Sequence, residues 1–92
     1  MQIRWTKNAV LNLDEIESYI KSDNPQAAIA TVLKIIRSVE QLSRHPAMGR
    51  PGRVEETREL VIAQTPFIVP YRVKNNAVEI LRVFHSAQKW SK

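Results

Sequence analysis

Arg72 and His85 stand on one predicted strand face and bring anion-holding and acid–base chemistry together there. An imidazole titrates near neutrality and can give or take a proton, while a guanidinium holds a phosphate through paired N–H groups. Both also have an ordinary reading. Arg72 can pair with an acid across a strand, and a histidine at a strand end is commonly solvated. Further cations surround them in sequence. Arg50, Arg53 and Lys74 can grip backbone phosphates, whereas Arg58, Arg82, Lys89 and Trp90 combine an aromatic with cations as protein-binding hot spots do. A charged loop is also often just a wet surface. The chain has no cysteine, and neither His45 nor His85 has partners at metal-ligand spacing, so no metal or organic cofactor is expected.

The charge is placed unevenly. Residues 1–43 hold five Lys/Arg and five Asp/Glu, and residues 44–92 hold nine and four, so the whole formal +5 lies in the second half. Such a face suits a polyanion or an acidic protein partner, or serves solubility alone. Ninety-two residues make one domain with a modest core, which buries about 60–65% of its unfolded surface and can lean on a partner for stability. No apolar run is long enough for a signal or a membrane span, and a cytoplasmic location is expected.

The elements that must position these residues follow from periodicity. Gln2 to Trp5 alternates as a short strand does. From Asn8 to Ser22 the spacing of Ala9, Leu13, Ile16 and Ile20 predicts an amphipathic helix. Asp23-Asn24-Pro25 then starts a second helix, with Asn24 as cap and Pro25 in the first turn. Its stripe of Ala28, Val32, Ile35, Val39 and Leu42, widened by Ile29, Leu33 and Ile36, predicts packing on both the first helix and a sheet. A partner-binding groove is the other use for such a stripe. Pro46, Gly49, Pro51 and Gly52 make a loop that carries Arg44, Arg50 and Arg53.

Residues 57 to 85 read as three antiparallel strands, turning at Gln64-Thr65-Pro66 and at Asn75-Asn76. A two-residue turn at the second place sets Arg72 opposite Glu79, Tyr71 opposite Ile80 and Val69 opposite Arg82. One face then carries Phe67, Val69, Tyr71, Val73, Val78, Ile80 and Phe84, with Arg82 as an oddity, and should lie under the helices. The other carries Ile68, Pro70, Arg72, Lys74, Glu79, Leu81, Val83 and His85 and should be partly wet. Pro70 cannot donate to the ladder, so its nitrogen faces outward or the strand bulges.

Taken in order, these residues resemble a known family. Asp23-Asn24-Pro25, the run His45-Pro46-Ala47-Met48-Gly49-Arg50-Pro51-Gly52, Thr57-Arg58-Glu59-Leu60, Tyr71-Arg72-Val73, and Glu79 to His85 closing on Lys89-Trp90 are similar to the RelE/ParE toxins of bacterial type II toxin–antitoxin systems. The resemblance implies an α+β fold in β-α-α-β-β-β order over residues 1–92, growth inhibition or plasmid stabilisation as the outcome, and a cognate antitoxin that wraps the chain in a hetero-oligomer. It also implies a target. The ribonuclease branch cuts messenger RNA on the ribosome. Here Ile68 stands where that branch has a catalytic arginine, Ala87 lies where it has a basic residue with Lys89 as stand-in, and its late tyrosine has no counterpart. The ParE branch lacks the catalytic set and inhibits DNA gyrase by binding, and these departures favour it. A degenerate homologue that only binds antitoxin is the third possibility.

Overall fold

Two helices lie against one face of a mixed sheet in the computed structural model, which describes residues 1–88. β1 (Gln2–Trp5) leads into α1 (Lys7–Lys21), whose N-terminus is capped by the Thr6 hydroxyl accepting from the Ala9 N–H. α2 (Pro25–Glu40) starts as the sequence implies, with the Asn24 side chain accepting from the Ala27 N–H and Pro25 in the first turn. A 3-10 turn, Gln41–Ser43, ends it. The strands β2 (Arg50–Pro51), β3 (Arg58–Val61), β4 (Phe67–Lys74), β5 (Ala77–Ile80) and β6 (Phe84–His85) follow. Their order across the sheet is β1-β5-β4-β3-β2, with β6 paired to β4, and β1 runs parallel to β5. The loop expected after α2 thus contributes a short strand of its own, β2, at one edge.

The Asn75-Asn76 turn forms as expected. Both residues have positive φ, 52° and 59°, which Asn tolerates and a two-residue hairpin requires. It fixes the pairs Lys74↔Ala77, Val73↔Val78, Arg72↔Glu79 and Tyr71↔Ile80. Inward from these pairs, Val69, Tyr71, Val78 and Ile80 are fully buried against Ile35, Val39 and Leu42 of the helical layer. Each large aliphatic side chain buried this way contributes about 1.5–3 kcal/mol. The outer part of the α2 stripe does not join this core. Ile29 and Leu33 are 58% and 43% exposed, so α2 packs through a narrower face than its sequence suggests.

The continuous third strand expected from Ala77 to His85 does not form. Two residues of β4, Val69 and Pro70, separate the pairs Tyr71↔Ile80 and Ile68↔Phe84, but three residues, Leu81 to Val83, separate them on the other strand. The extra residue is a bulge. Pro70 is its cause: its carbonyl accepts from the Leu81 N–H at 2.9 Å, but it has no N–H to return. α1 compensates for the broken ladder. The Val83 N–H donates to the Asn12 Oδ1 at 3.0 Å, and the Thr6 hydroxyl lies 2.7 Å from the Ile80 carbonyl and 3.1 Å from that of Leu81.

Parity changes beyond the bulge. Val83 joins the core under the helices, Phe84 turns to the far face beside Ile68, and His85 comes opposite Phe67 on the helical side. The expected assignment of these three residues is thereby reversed. The expected pair of Val69 with Arg82 is absent as well, and Val69 pairs with Leu60. The far face is also drier than its composition suggests, since Ile68, Pro70, Phe84 and Glu59 are all buried.

Candidate functional site

The far face of the sheet holds three of the cations that the sequence singles out, Arg50, Arg53 and Arg72, in ion pairs. Glu59 lies opposite Pro70 and is 1% exposed. Its carboxylate accepts from the Arg50 Nη2 at 3.1 Å and from the Arg53 backbone N–H at 3.1 Å, with the Arg53 Nε at 3.8 Å. The Arg53 guanidinium lies 5.7 Å from the centre of the Phe84 ring. Arg72 donates through Nε to Glu79, the cross-strand partner that the turn places opposite it. Arg50, Arg53 and Arg72 are therefore parts of the sheet's own construction, although about half of each side chain still meets solvent.

Arg58 is committed in another way. Its Nη1 donates to the Gly49 carbonyl at 2.8 Å, beside the spot where the Tyr71 hydroxyl accepts from the Gly49 N–H at 2.8 Å and donates to the Pro46 carbonyl at 2.7 Å. These bonds fasten the loop His45–Gly49 to the sheet and present Arg44, His45 and Met48 outward from a fixed backbone. Lys74 is exposed and Arg82 half-exposed, both without an ion pair among the described residues. Lys89 and Trp90 lie outside the described residues.

Burial pushes the Tyr71 hydroxyl above its ordinary value of 10.0, against the opposing pull of the Gly49 N–H and the Arg58 charge. A value raised on folding means that the protonated form is favoured in the native state. The stabilisation is present below pH 10 and is lost as pH rises through the folded value. The stability difference between wild type and Tyr71→Phe should accordingly shrink above pH 10, as urea unfolding at stepped alkaline pH would reveal.

His85 stands apart from Arg72. The one-residue slip puts it on the helical side of the sheet, where its ring meets Phe67 edge-on with centroids 5.8 Å apart and planes at 85°. Its Nδ1 accepts from the Ala87 N–H at 3.0 Å and its backbone N–H donates to the Gln88 Oε1. One ring nitrogen is thus occupied by the turn, and Nε2 is the one left to face a ligand. Arg72, on the opposite side with Glu79, cannot serve the same phosphate. The expectation that the two share a face fails because the Pro70 bulge changes the parity between them.

A cleft of about 950 Å³ opens on the helical side beside His85, between α1, α2 and the Gln64–Phe67 turn. Its floor is apolar, with Ile16, Ile20, Phe67 and Val83. Sequence reasoning missed this cleft and the roles of Glu59, Asn12 and Tyr71. Glu59 had a legible signal, an acid between two arginine-bearing stretches in a strand, but its burial depends on the register with Pro70.

Comparison with known proteins decides the family. Residues 3–90 match the model of the ParE toxin of the type II toxin–antitoxin system parDE. The chain belongs to the ParE toxin family. Y4kP of Sinorhizobium fredii is 51% identical over 89 residues, covering 97% of this chain and 92% of that protein. Toxin RelE2 of Caulobacter vibrioides is 32% identical and spans 95% of this chain and 97% of its own length. Among solved structures, the chromosomal ParDE toxin–antitoxin system of P. aeruginosa matches with a TM-score of 0.85 at 32% identity, over 92% of this chain and 95% of that one. The RelBE2 complex of Mycobacterium tuberculosis matches with a TM-score of 0.62 at 26% identity, over 91% and 95%. The α+β fold of this ParE-family chain, with a strand, two helices and then strands, is that of the superfamily. Relatives carry both ParE and RelE names, so family membership alone does not choose a target.

Proposed function

We propose that this chain is a toxin that acts by binding DNA gyrase, and that a cognate antitoxin neutralises it in a toxin–antitoxin hetero-oligomer. The observation that carries the mechanism is the separation of Arg72 from His85. A ribonuclease of this fold needs an acid–base group and a phosphate-holding cation at one phosphodiester. Here the two lie on opposite sides of the sheet, one paired with Glu79 and the other edge-on to Phe67. The vacancy at Ile68, a buried aliphatic, supports the same reading.

A binding inhibitor needs a rigid surface instead. The fastened loop with Arg44, His45 and Met48 offers one, and Lys74 and Arg82, with Lys89 and Trp90 outside the described residues, are the further contacts in this reading. Arg50 and Arg53, paired with Glu59, and Arg58, bonded to the Gly49 carbonyl, serve this surface by shaping it. The chain works in this reading as one domain in the cytoplasm. Among the described residues no helix is long and apolar enough to cross a membrane. An acidic antitoxin would lay an amphipathic helix along the helical hairpin, where Ile29 and Leu33 stand exposed, and extend a tail along an edge of the sheet.

The second reading, a ribosome-dependent messenger RNA endonuclease, draws on the likeness to RelE2 and on the exposed His85. Expression of the chain without its antitoxin, beside His85→Ala, separates the two. The gyrase reading predicts lost supercoiling and DNA damage in both strains, with toxicity unchanged by the substitution. Rapid loss of translation with cleaved messenger RNA, abolished in His85→Ala, would refute it. Absence of toxicity in both strains would indicate a degenerate homologue that only binds antitoxin.

A further inference from the structure

β4 outruns its neighbour in the sheet. β3 begins at Arg58, opposite Tyr71, whereas β4 continues through Arg72, Val73 and Lys74 to the Asn75-Asn76 turn. In the same register Thr57 would face Arg72 and Glu56 would face Val73, but the chain closes on itself there. The Thr57 N–H donates to the Val54 carbonyl at 3.2 Å, Glu56 has a positive φ of 64°, and no hydrogen bond joins Glu56 to Val73. A notch of about 290 Å³ is left beside the end of β4, with Thr57, Arg58, Tyr71, Arg72 and Val73 in its wall. It lies at the other end of β4 from the cleft beside His85, which Phe67 lines.

The backbone groups that open into the notch follow from alternation along the strand. The Phe67 carbonyl accepts from the Ile62 N–H on the β3 side, and the Pro70 carbonyl accepts from the Leu81 N–H on the β5 side. Val73 has the parity of Phe67, so its N–H and carbonyl point to the β3 side, where β3 has already ended. They are a short piece of open sheet edge. The Val73 side chain beside them is 48% exposed. The opening is also cationic. Arg58 and Arg72 line it against one acid, Glu56, and the exposed Lys74 follows Val73 with no ion pair among the described residues. Because Arg58 also holds the Gly49 carbonyl, the notch is continuous with the fastened His45–Gly49 loop.

We propose that this notch takes an extended segment of DNA gyrase, which adds to the open end of β4 as a short strand. Its backbone exchanges hydrogen bonds with the Val73 N–H and carbonyl, and an apolar side chain packs on Val73. The next residue of the segment turns to the other face, as neighbours on a strand do, and there an acidic side chain meets Lys74 and Arg72. The inference rests on the gyrase reading and names what is recognised: an apolar residue beside an acid, in extended form.

The test is supercoiling of relaxed plasmid by purified gyrase, titrated with the full chain as wild type and three variants. Val73→Pro deletes the N–H that the segment would use, and a strand tolerates proline where it donates to no neighbour. Val73→Ala keeps the N–H and trims the side chain, and Lys74→Glu reverses the charge. The concentration for half inhibition should rise about 5-fold or more in Val73→Pro and in Lys74→Glu, and about 3-fold in Val73→Ala. A smaller rise in either of the first two overturns the notch assignment and leaves the gyrase reading in place. The Tm of Val73→Pro should stay within about 5 °C of Val73→Ala, and a larger fall would show that the fold itself engages this N–H and would overturn the assignment. Weaker binding of Val73→Pro to the product of the adjacent reading frame, with gyrase inhibition unchanged, would put the antitoxin in the notch and overturn it too. If wild type leaves gyrase active, both readings fall.

Discussion

Replacing Arg50 and Arg53 together by alanine is expected to lower the unfolding free energy by about 3 kcal/mol, because it strips two guanidiniums from a carboxylate in the sheet interior. Glu59 is 1% exposed, and both arginines reach it. Ion pairs on a protein surface are worth only about 0–1 kcal/mol, and Arg50 and Arg53 are themselves half in water. The burial of Glu59 decides between the two magnitudes, since the acid keeps the Arg53 backbone N–H but loses both guanidinium charges in a place where water cannot replace them. Glu59→Leu, which removes the charge along with its need for a partner, should cost less than the double arginine variant. For a domain of this size about 3 kcal/mol corresponds to a fall in Tm of roughly 12–24 °C. Thermal unfolding of the three proteins is the check, and a double variant within about 1 kcal/mol of wild type would return these arginines to the surface class. The same result bears on function. Loss of toxicity in an Arg50 or Arg53 variant cannot be read as loss of target contact until its stability is known.

The second large effect is expected at Gly49. A Cβ there would stand 2.6 Å from the Tyr71 Cε1, 2.7 Å from its hydroxyl and 3.0 Å from the Glu59 carbonyl oxygen. The ring is fully buried and the carbonyl is backbone, so neither yields easily. Gly49→Ala should cost about 2–3 kcal/mol by overpacking. Tyr71→Phe should cost a similar amount by leaving the buried Gly49 N–H and the Pro46 carbonyl without the hydroxyl that joins them, about 2–3 kcal/mol. Both changes break the same fastening of the His45–Gly49 loop. Their sum should exceed the cost of the double variant, and a double-mutant cycle in urea measures the coupling. Additive losses would mean that the loop is held elsewhere.

Much of this architecture is legible in the sequence because local chemistry dictates it. Asn24-Pro25 starts α2 through its own side chain and ring, and Asn75-Asn76 sets the β4–β5 register through residues that accept positive φ. Those signals act over a few residues and no distant contact overrides them. The bulge was legible only as a question. Pro70 announces a missing donor, but whether the chain absorbs it by slipping one residue depends on Thr6 and Asn12, some seventy positions away, which satisfy the freed backbone groups. That slip alone moves His85 to the helical side and Phe84 to the far side. The candidate site suffered most from this, because a face assignment alternates with every residue and one insertion inverts all that follows. The commitment of the arginines is likewise a tertiary fact. Arg72 with Glu79 follows from the hairpin, whereas Arg50 and Arg53 reach Glu59 only because β2 joins the edge of β3.

In the proposed mechanism the chain poisons its target by binding, without chemistry by Arg72 and His85. The most direct measurement is supercoiling of relaxed plasmid by purified DNA gyrase as the chain is added, for wild type and His85→Ala in parallel. Both should inhibit supercoiling at the same concentrations, and adding the product of the adjacent reading frame should restore the activity. Gyrase that works normally at saturating chain, alongside ribosome-bound messenger RNA that wild type cuts and His85→Ala leaves intact, would contradict it.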